Sequence, residues 1–240
     1  MALYFQDFPT LGYRFGNETF TTNFQNIAAY VDVIDAVKDN LAYYTKYEIL
    51  DGDRPDVMSM KLYGDMSYYF TFFLMNDHLR ESGWPMTAKE LLKKVKKDFP
   101  NTTITTLDSL SGKMKVGQTI TGNNSGASGK ILKRRLDLGQ IVVDTTESFT
   151  NGETCSVDTG TGLETIVITT SQEEYLSTRH YEDTDGYVDI DPAVGPGGTI
   201  TPVTFYDHYT LENNLLRPIR VIKPESISSV FSAFKQAMVS

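Results

Sequence analysis

The segment LYGDMSYYFTFFLMND, residues 62–77, constrains the fold more than any other part of the sequence. It places six aromatic rings in sixteen residues and ends on an Asn-Asp pair. Gly64 can take the left-handed conformation that ends a helix, and Asp65 or Ser67 is suited to cap the next one. The pattern therefore predicts one short helix before Gly64 and a second that ends near Asn76.

The second predicted helix carries more rings than one buried stripe of a short helix can hold. One explanation is that the rings pack beneath the rest of the same domain, because aromatic side chains dominate protein cores. The other is that some of them face a partner, because contiguous exposed apolar surface marks interaction sites. The sequence leaves both explanations open.

Strand-like alternation lies on either side of this segment. Apolar and polar residues alternate in TKYEIL and again in RPIRVI near the end of the chain, which is the period of a half-buried strand. Pro55 suits the first turn of the helix that follows the earlier strand. We expect residues 219–222 to pair with residues 46–50, completing a strand, helix, helix, strand module across the intervening sequence.

Apolar positions at three- and four-residue steps predict further helices. One lies between Ile27 and Leu41, one follows the Gly-Trp-Pro turn, and one closes the chain from about Ile227 to Met238. The helix after the turn also carries five lysines, which we interpret as a solvated face, with phosphate or an acidic protein as the alternative. These lysines are Lys89, Lys93, Lys94, Lys96 and Lys97.

Between residues 109 and 171 the composition changes to Gly, Thr, Ser and Val, with little helical period. A weak two-fold repeat of short strands and glycine turns occurs there, with a spacing of thirty-five residues. Its pairs are Met114 with Phe149, Gly117 with Gly152, Thr119 with Thr154, Ile120 with Cys155, and Ile131 with Ile166. We therefore predict an α+β chain in which residues 1–108 plus 172–240 form one domain, with an inserted all-β domain at 109–171.

Charge and composition argue against several classes of function. The formal net charge of −9 argues against a nucleic-acid binder, which needs a surplus of Lys and Arg to neutralise phosphates. The longest apolar run, residues 68–75, is far below the roughly twenty residues that span a bilayer. The start of the chain lacks a secretory signal pattern, so we expect a protein that is neither exported nor in a membrane.

The candidate chemical motifs are weak. GNNSGASGK lacks the full phosphate-loop spacing and a following helix. EDTDGYVDID does not match the Ca²⁺ loop of an EF-hand, so we interpret it as an acidic surface loop. Cys155 is interpreted as a small buried hydrophobe, and His78, His180 and His208 are scattered. The sequence predicts no catalytic residue, no cofactor and no metal site.

A longer pattern is familiar. Residues 47–77 resemble the LysM module in their Gly-Asp turn, short helix, Tyr-Gly-Asp link, aromatic second helix and terminal Asn. More of the chain resembles the baseplate wedge subunit fifty-three family of T-even-type phages. That likeness rests on YFQDFPTLGYRF at the start, then DGDRPD, LYGD, FLMND, Gly-Trp-Pro and, near the end, TLENNLLRPIRVIKPESISSVFSAF.

The chain also departs from that family. Tyr68, Tyr69 and Phe70 stand where the family often has tryptophan, and Met58 and Met60 stand where it has a small pair. These substitutions keep the bulk of the side chains, which implies that the fold is kept. The repeat at residues 109–171 resembles an insertion that shorter members lack.

The resemblance implies a structural subunit of a contractile-tail baseplate wedge, present in several copies in a six-fold assembly. Such a subunit clamps neighbouring wedge proteins and joins wedges around the hub, near the sheath initiator. It would be assembled in the host cytoplasm and reside in the virion. Aromatic side chains favour interface cores. The expected partner contacts, or their immediate supports, are Tyr63, Tyr68, Phe72, Trp84, Phe231 and Phe234.

Two rival functions stay open. LysM modules hold peptidoglycan sugars in a shallow groove between strand-helix loops, so a peptidoglycan-binding module of a tail protein is the first alternative. A lytic enzyme of the tail is the second, although the sequence offers no catalytic constellation for it.

Overall fold

The computed structural model describes residues 10–17, 19–25, 38, 40 and 42–239. The chain divides into two compact units, residues 1–87 with 213–240, and residues 88–212. It is mixed α and β, as expected. The helix predicted between Ile27 and Leu41 lies almost wholly outside the described residues.

The elements are named in chain order. The strands are β1 (Thr10–Tyr13), β2 (Thr22–Gln25), β3 (Tyr44–Glu48), β4 (Thr102–Thr106), β5 (Thr119–Gly122), β6 (Ser128–Arg135), β7 (Gln140–Asp144), β8 (Thr154–Asp158), β9 (Leu163–Glu173), β10 (Thr178–Asp183), β11 (Gly186–Val188), β12 (Thr201–Thr204) and β13 (Pro218–Ile222). The helices are α1 (Pro55–Tyr63), α2 (Phe70–Met75), α3 (Asp77–Ser82), α4 (Ala88–Asp98), α5 (Phe205–Leu215) and α6 (Ile227–Val239). A single 3-10 turn, Met66–Tyr69, leads into α2.

The first unit is built around an antiparallel ladder between β3 and β13. Ile219 lies opposite Tyr47, and Ile222 lies opposite Tyr44. The predicted pairing of these two parts of the chain is confirmed, but β3 begins and ends two residues earlier than expected. Its last predicted residue, Leu50, instead accepts a hydrogen bond from Asp53 N–H in the turn that leads to α1.

Local signals set the helices that cover this ladder. Pro55 occupies the first turn of α1, and Gly64 ends that helix with a φ of 74°. The Asp65 carboxylate accepts from Ser67 N–H and so caps the next turn. These predictions are confirmed. The core between helices and ladder consists of Ile49, Met58, Phe72, Leu79, Ile219 and Val221.

A buried asparagine joins α2 to β13. Asn76 Oδ1 accepts from Arg220 N–H at 2.8 Å, and its Nδ2 donates to the Arg220 carbonyl at 2.8 Å. The same Nδ2 also donates to the carbonyl of Phe72. The Asn that ends the LysM-like pattern therefore has a structural role, since it satisfies backbone groups that a neighbouring strand would otherwise satisfy.

The second unit contains a closed antiparallel barrel in the order β4-β7-β6-β5-β8-β9. Its boundaries differ from the predicted insert of residues 109–171, because β4 begins at Thr102 and β9 ends at Glu173. β4 fills the gap between β7 and β9, so the barrel has no open edge. The compact unit is wider still, since residues 88–212 also include α4 and strands β10–β12. The domain boundaries at 108 and 172 are therefore corrected to 87 and 213.

The barrel has an internal two-fold arrangement in which β5, β6 and β7 correspond to β8, β9 and β4. Gly117 N–H donates to the carbonyl of Ile131, and Gly152 N–H donates to that of Ile168. The predicted equivalence of Ile131 with Ile166 is thus wrong by two residues. The second hairpin is longer, because Thr119 pairs with Lys130 but Thr154 pairs with Val167, thirty-seven residues further on.

The remaining helix predictions can be compared directly. In α4, Leu91 and Val95 are buried and the lysines are exposed, as the apolar edge predicted. In α6, Ile227, Val230 and Phe234 are buried. The acidic segment that follows the barrel forms the β10–β11 hairpin, in which Asp183 pairs with Gly186.

Candidate docking surface

The six aromatic residues expected to bind a partner come together in one connected set of rings in the first unit. Phe70 completes the set, since it links the two phenylalanines of α6. The ring-centroid distances are 6.0 Å for Trp84–Phe72, 5.9 Å for Phe72–Tyr63, 5.9 Å for Tyr63–Tyr68, 5.3 Å for Tyr68–Phe231, 5.9 Å for Phe231–Phe70 and 6.1 Å for Phe70–Phe234.

This set is largely internal, so its most buried members can serve only as supports for a partner surface. Phe72 is 0% exposed and Phe234 is 2% exposed, so neither side chain is available for direct contact with a partner. The rings that seemed surplus to a short helix pack α6 against α1 and α2. Local reasoning did not assign these rings to α6, because α6 lies about 150 residues away from them in sequence.

The half-buried members also have internal partners. Tyr63 Oη donates to the Ile222 carbonyl at 3.0 Å, and burial raises the pKa of this phenol to about 12. Trp84 Nε1 donates to the Asp53 carbonyl at 2.7 Å, so the Gly-Trp-Pro turn is attached to the turn before α1. These two residues therefore support the unit, whatever surface they also offer.

Exposed apolar side chains lie on the outer face of the same helices. Val57 and Met60 are one turn apart on α1, and Met66 and Tyr69 are one turn apart on the 3-10 turn. Met58, by contrast, is fully buried. Met58 and Met60 are therefore not equivalent, and only the second is available at the surface.

A group of exposed apolar side chains in the first unit lies on the β1–β2 hairpin, which sequence reasoning missed. Leu11 lies opposite Phe24, and Tyr13 and Phe15 follow Leu11 at two-residue steps. The ring of Phe15 lies 5.0 Å from that of Tyr13 and 5.5 Å from that of Phe24. These four side chains, called the hairpin face below, and nearby Phe20 are 44–61% exposed. Alternation of apolar residues before the Gly16-Asn17 turn was the available signal.

The hairpin face has no cover among the described residues. β1 and β2 form a sheet of two strands, and within the described residues neither has a second neighbour. An isolated two-stranded hairpin is marginally stable in water, and its outer edges present unpaired backbone groups. A surface of this kind is suited to contact another protein chain.

The glycine-rich loop of the second unit is occupied by the protein's own carboxylate. Glu153 is buried, and it accepts from Asn124 N–H at 2.7 Å, from Ser125 N–H at 2.9 Å and from Thr150 N–H at 2.6 Å. Burial works to raise the pKa of this carboxyl, but the hydrogen bonds outweigh it and hold the pKa below its usual range. Donors that a phosphate would need are thus already used.

Two other candidate groups have structural roles. Cys155 is fully buried in the barrel core, as predicted, and burial raises the pKa of its thiol to about 12. His180 Nδ1 accepts from Arg179, since a guanidinium only donates, so Nε2 carries the proton and donates to Glu182 at 2.7 Å. Across the described ranges, no cluster of His, Cys, Asp or Glu is arranged to hold a metal ion.

No protein-family model and no curated protein matches the chain. In the part of the chain that the structure describes, no helix has the length and apolar content required to cross a membrane.

Proposed function

We propose that this chain is a structural subunit of a phage contractile-tail baseplate wedge, which clamps neighbouring wedge proteins and joins wedges around the hub. The observation that carries the proposal is the exposed hairpin face of Leu11, Tyr13, Phe15 and Phe24. Three aromatic rings supply contact area at low cost in side-chain entropy, and aromatic residues are enriched at interfaces.

The arrangement of the first unit supports the proposal. Of the segments that carry the family resemblance, residues 51–56, 62–65, 73–77 and 83–85 lie in one compact unit with residues 213–234 of the closing segment, whose first three residues, 210–212, belong to the second unit. The β3-α1-α2-β13 module is LysM-like in its order of elements. The closed barrel of the second unit is an insert between the two parts of this module.

The hairpin also indicates what a partner must offer. Its face needs an apolar surface, and its free edges can accept an extended strand from another chain. Neighbouring wedge proteins and the sheath initiator are the proposed partners, with several copies in a six-fold assembly. The proposed location is the virion baseplate after assembly in the host cytoplasm, without a reaction, a nucleic acid or a membrane.

The test mixes the full chain with the other wedge proteins and measures complexes by light scattering. We expect a discrete complex with the unaltered chain and a loss of that complex with the double variant Tyr13→Ser, Phe24→Ser. The control is Leu163→Ser, Val194→Ser, which removes two even more exposed apolar side chains from the second unit. Monomers in every combination, or equal loss with both variants, would refute the proposal.

The alternative, a peptidoglycan-binding module, has less support. In LysM modules the sugar lies between strand-helix loops. Here Arg217 joins those loops, donating to the Ile49 carbonyl at 3.1 Å and to the Asp51 carboxylate at 3.0 Å. Retention of the chain by purified peptidoglycan would favour the alternative.

A further inference from the structure

A groove of about 470 Å³ lies beside the β3–β13 ladder, and no residue of the hairpin face lines it. Its lining mixes apolar and charged residues. The apolar members are Tyr47, Met75, Pro218 and Ile219, the charged members are Lys38, Lys46, Asp77 and Arg220, and Asn76 and His78 complete the lining. Met75 and Ile219 are each only 3% exposed, whereas Pro218 is exposed on the same face of the ladder as Arg220.

The charges of the residues that line the groove do not cancel. Asp77 pairs with Lys38 at 2.7 Å and also with Arg80, which uses the one carboxylate of the lining. Neither Lys46 nor Arg220 forms an ion pair with any described residue. Glu48 shares their face of the ladder but does not line the groove. An excess of positive charge in a chain with a net charge of −9 does not follow from bulk composition.

The two unpaired cations are held next to each other. Lys46 and Arg220 are directly opposite in the antiparallel register. Side chains in such pairs lie on one face with Cβ atoms about 4.5–5.5 Å apart, and like charges there destabilise the sheet. A bound anion would offset this repulsion.

Arg220 is also positioned in advance. Its guanidinium lies 5.0 Å from the centre of the Tyr44 ring, and its Nη1 donates to the Lys38 carbonyl at 3.5 Å. The backbone N–H and carbonyl of the same residue are both hydrogen-bonded to the Asn76 side chain. A guanidinium with a fixed plane binds a carboxylate in bidentate fashion at lower cost in entropy.

We propose that this groove binds an organic carboxylate, in which Arg220 and Lys46 hold the carboxylate group and the rest of the groove holds its stem. Pro218, exposed on the same face of the ladder as Arg220, offers apolar surface to such a stem, whereas a small, fully hydrated anion such as inorganic phosphate gains nothing from it. The groove is also much larger than one such anion. The ligand is either a free acid or an acidic side chain of another protein, since both present the same group.

The test is a titration of the full chain, followed by NMR chemical shifts and calorimetry. The probes are 4-methylvalerate and its amide, the blocked dipeptides acetyl-Leu-Glu-amide and acetyl-Leu-Gln-amide, and inorganic phosphate. We expect the two carboxylates to bind and their amide counterparts to fail. Tighter binding of the dipeptide identifies a protein source, and tighter binding of 4-methylvalerate identifies a free acid.

Charge-matched variants complete the test. Lys46→Gln and Arg220→Gln should each weaken carboxylate binding roughly tenfold, because each removes a charged hydrogen-bond partner. Lys115→Gln, with the same change of charge on the second unit, should not. Equal binding of acid and amide, unchanged binding by both groove variants, or binding of phosphate alone would overturn the assignment. The Tyr13→Ser, Phe24→Ser double variant should bind carboxylate normally. A failure of the groove proposal can therefore be distinguished from a failure of the proposed function.

Discussion

Asn213 and Met86 exchange two hydrogen bonds, with Met86 N–H donating to Asn213 Oδ1 at 2.8 Å and Asn213 Nδ2 donating to the Met86 carbonyl at 3.0 Å. Asn76 and Arg220 make the same two-way contact elsewhere in the first unit. Both contacts join a residue from the part of the chain before the second unit to a residue from the part after it. A side-chain amide thus completes the backbone hydrogen bonding of a unit built from two distant segments.

The first prediction concerns this contact. Asn213→Ala should destabilise the first unit by about 2 kcal/mol or more, since it removes two hydrogen bonds and leaves polar backbone groups of Met86 unpaired. Chemical denaturation followed by Trp84 fluorescence measures this, because the only tryptophan lies in this unit. Leu215→Ala is the control, since Leu215 is 75% exposed and its loss should change stability by less than about 0.5 kcal/mol. Equal effects of the two variants would contradict the prediction.

The second prediction compares buried and exposed rings. Phe72→Ala should cost about 3–5 kcal/mol, because it leaves a cavity in the core of the first unit. Tyr13→Ala should cost about 0.5 kcal/mol or less, since its ring is exposed on the hairpin face. Denaturation curves of both variants provide the comparison, with Phe20→Ala as a second exposed control. A large loss with Tyr13→Ala would mean that the hairpin packs inside the monomer.

The third prediction concerns the pH dependence of the barrel. The pKa of Glu153 is held below its unfolded value, so its contribution to stability is present above the unfolded pKa of about 4.3 and is lost as the pH falls through the lower folded pKa. Circular dichroism melts of the unaltered chain should therefore show falling barrel stability below about pH 4.5.

Glu153→Gln should be less stable at neutral pH by about 1–3 kcal/mol, because an amide cannot accept all the hydrogen bonds of the carboxylate. It should also lose most of that acid dependence. Gln118 occupies the equivalent place in the repeat and accepts from Lys115 N–H at 2.6 Å. The corresponding hydrogen bond from Thr150 N–H to residue 153 can therefore be made by an amide. Asp144→Asn on the barrel surface serves as the control. An acid dependence that survives Glu153→Gln unchanged would reject the explanation.

The fourth prediction concerns the thiol of Cys155. Burial raises its pKa to about 12, so almost no thiolate forms at pH 8 and the folded barrel shields it. Ellman's reagent should react slowly with the native chain and rapidly after denaturation. Fast reaction of the native chain would show that the barrel opens on the time scale of the assay.

Some elements were predictable because their signals are local. The bounds of α1 follow from Pro55 and Gly64, each of which restricts backbone conformation within one turn. The β3–β13 pairing was predictable because both strands alternate beside helices and neither had another obvious neighbour. The repeat in the barrel was visible in glycines that need a positive φ, namely Gly117 and Gly152.

Exposure was not predictable in the same way. Phe72 and Tyr69 occur three residues apart in one aromatic segment, yet the first is fully buried and the second is exposed. The difference depends on β13 and α6, which cover one side of the segment from the far end of the chain. Likewise, β4 was assigned to the wrong domain, since its membership depends on a gap that only β7 and β9 create.

The sequence by itself determined the positions of α1, α2, α4 and α6, the pairing of β3 with β13 and the inward role of Cys155. These follow from conformational preferences and apolar periodicity, which act over a few residues. Only the tertiary structure decided which aromatic rings remain at the surface, where the barrel closes and which charged side chains stand side by side on the β3–β13 ladder. Those properties depend on contacts between segments distant in sequence, such as β4 with β9 and β3 with β13, and no local pattern encodes them.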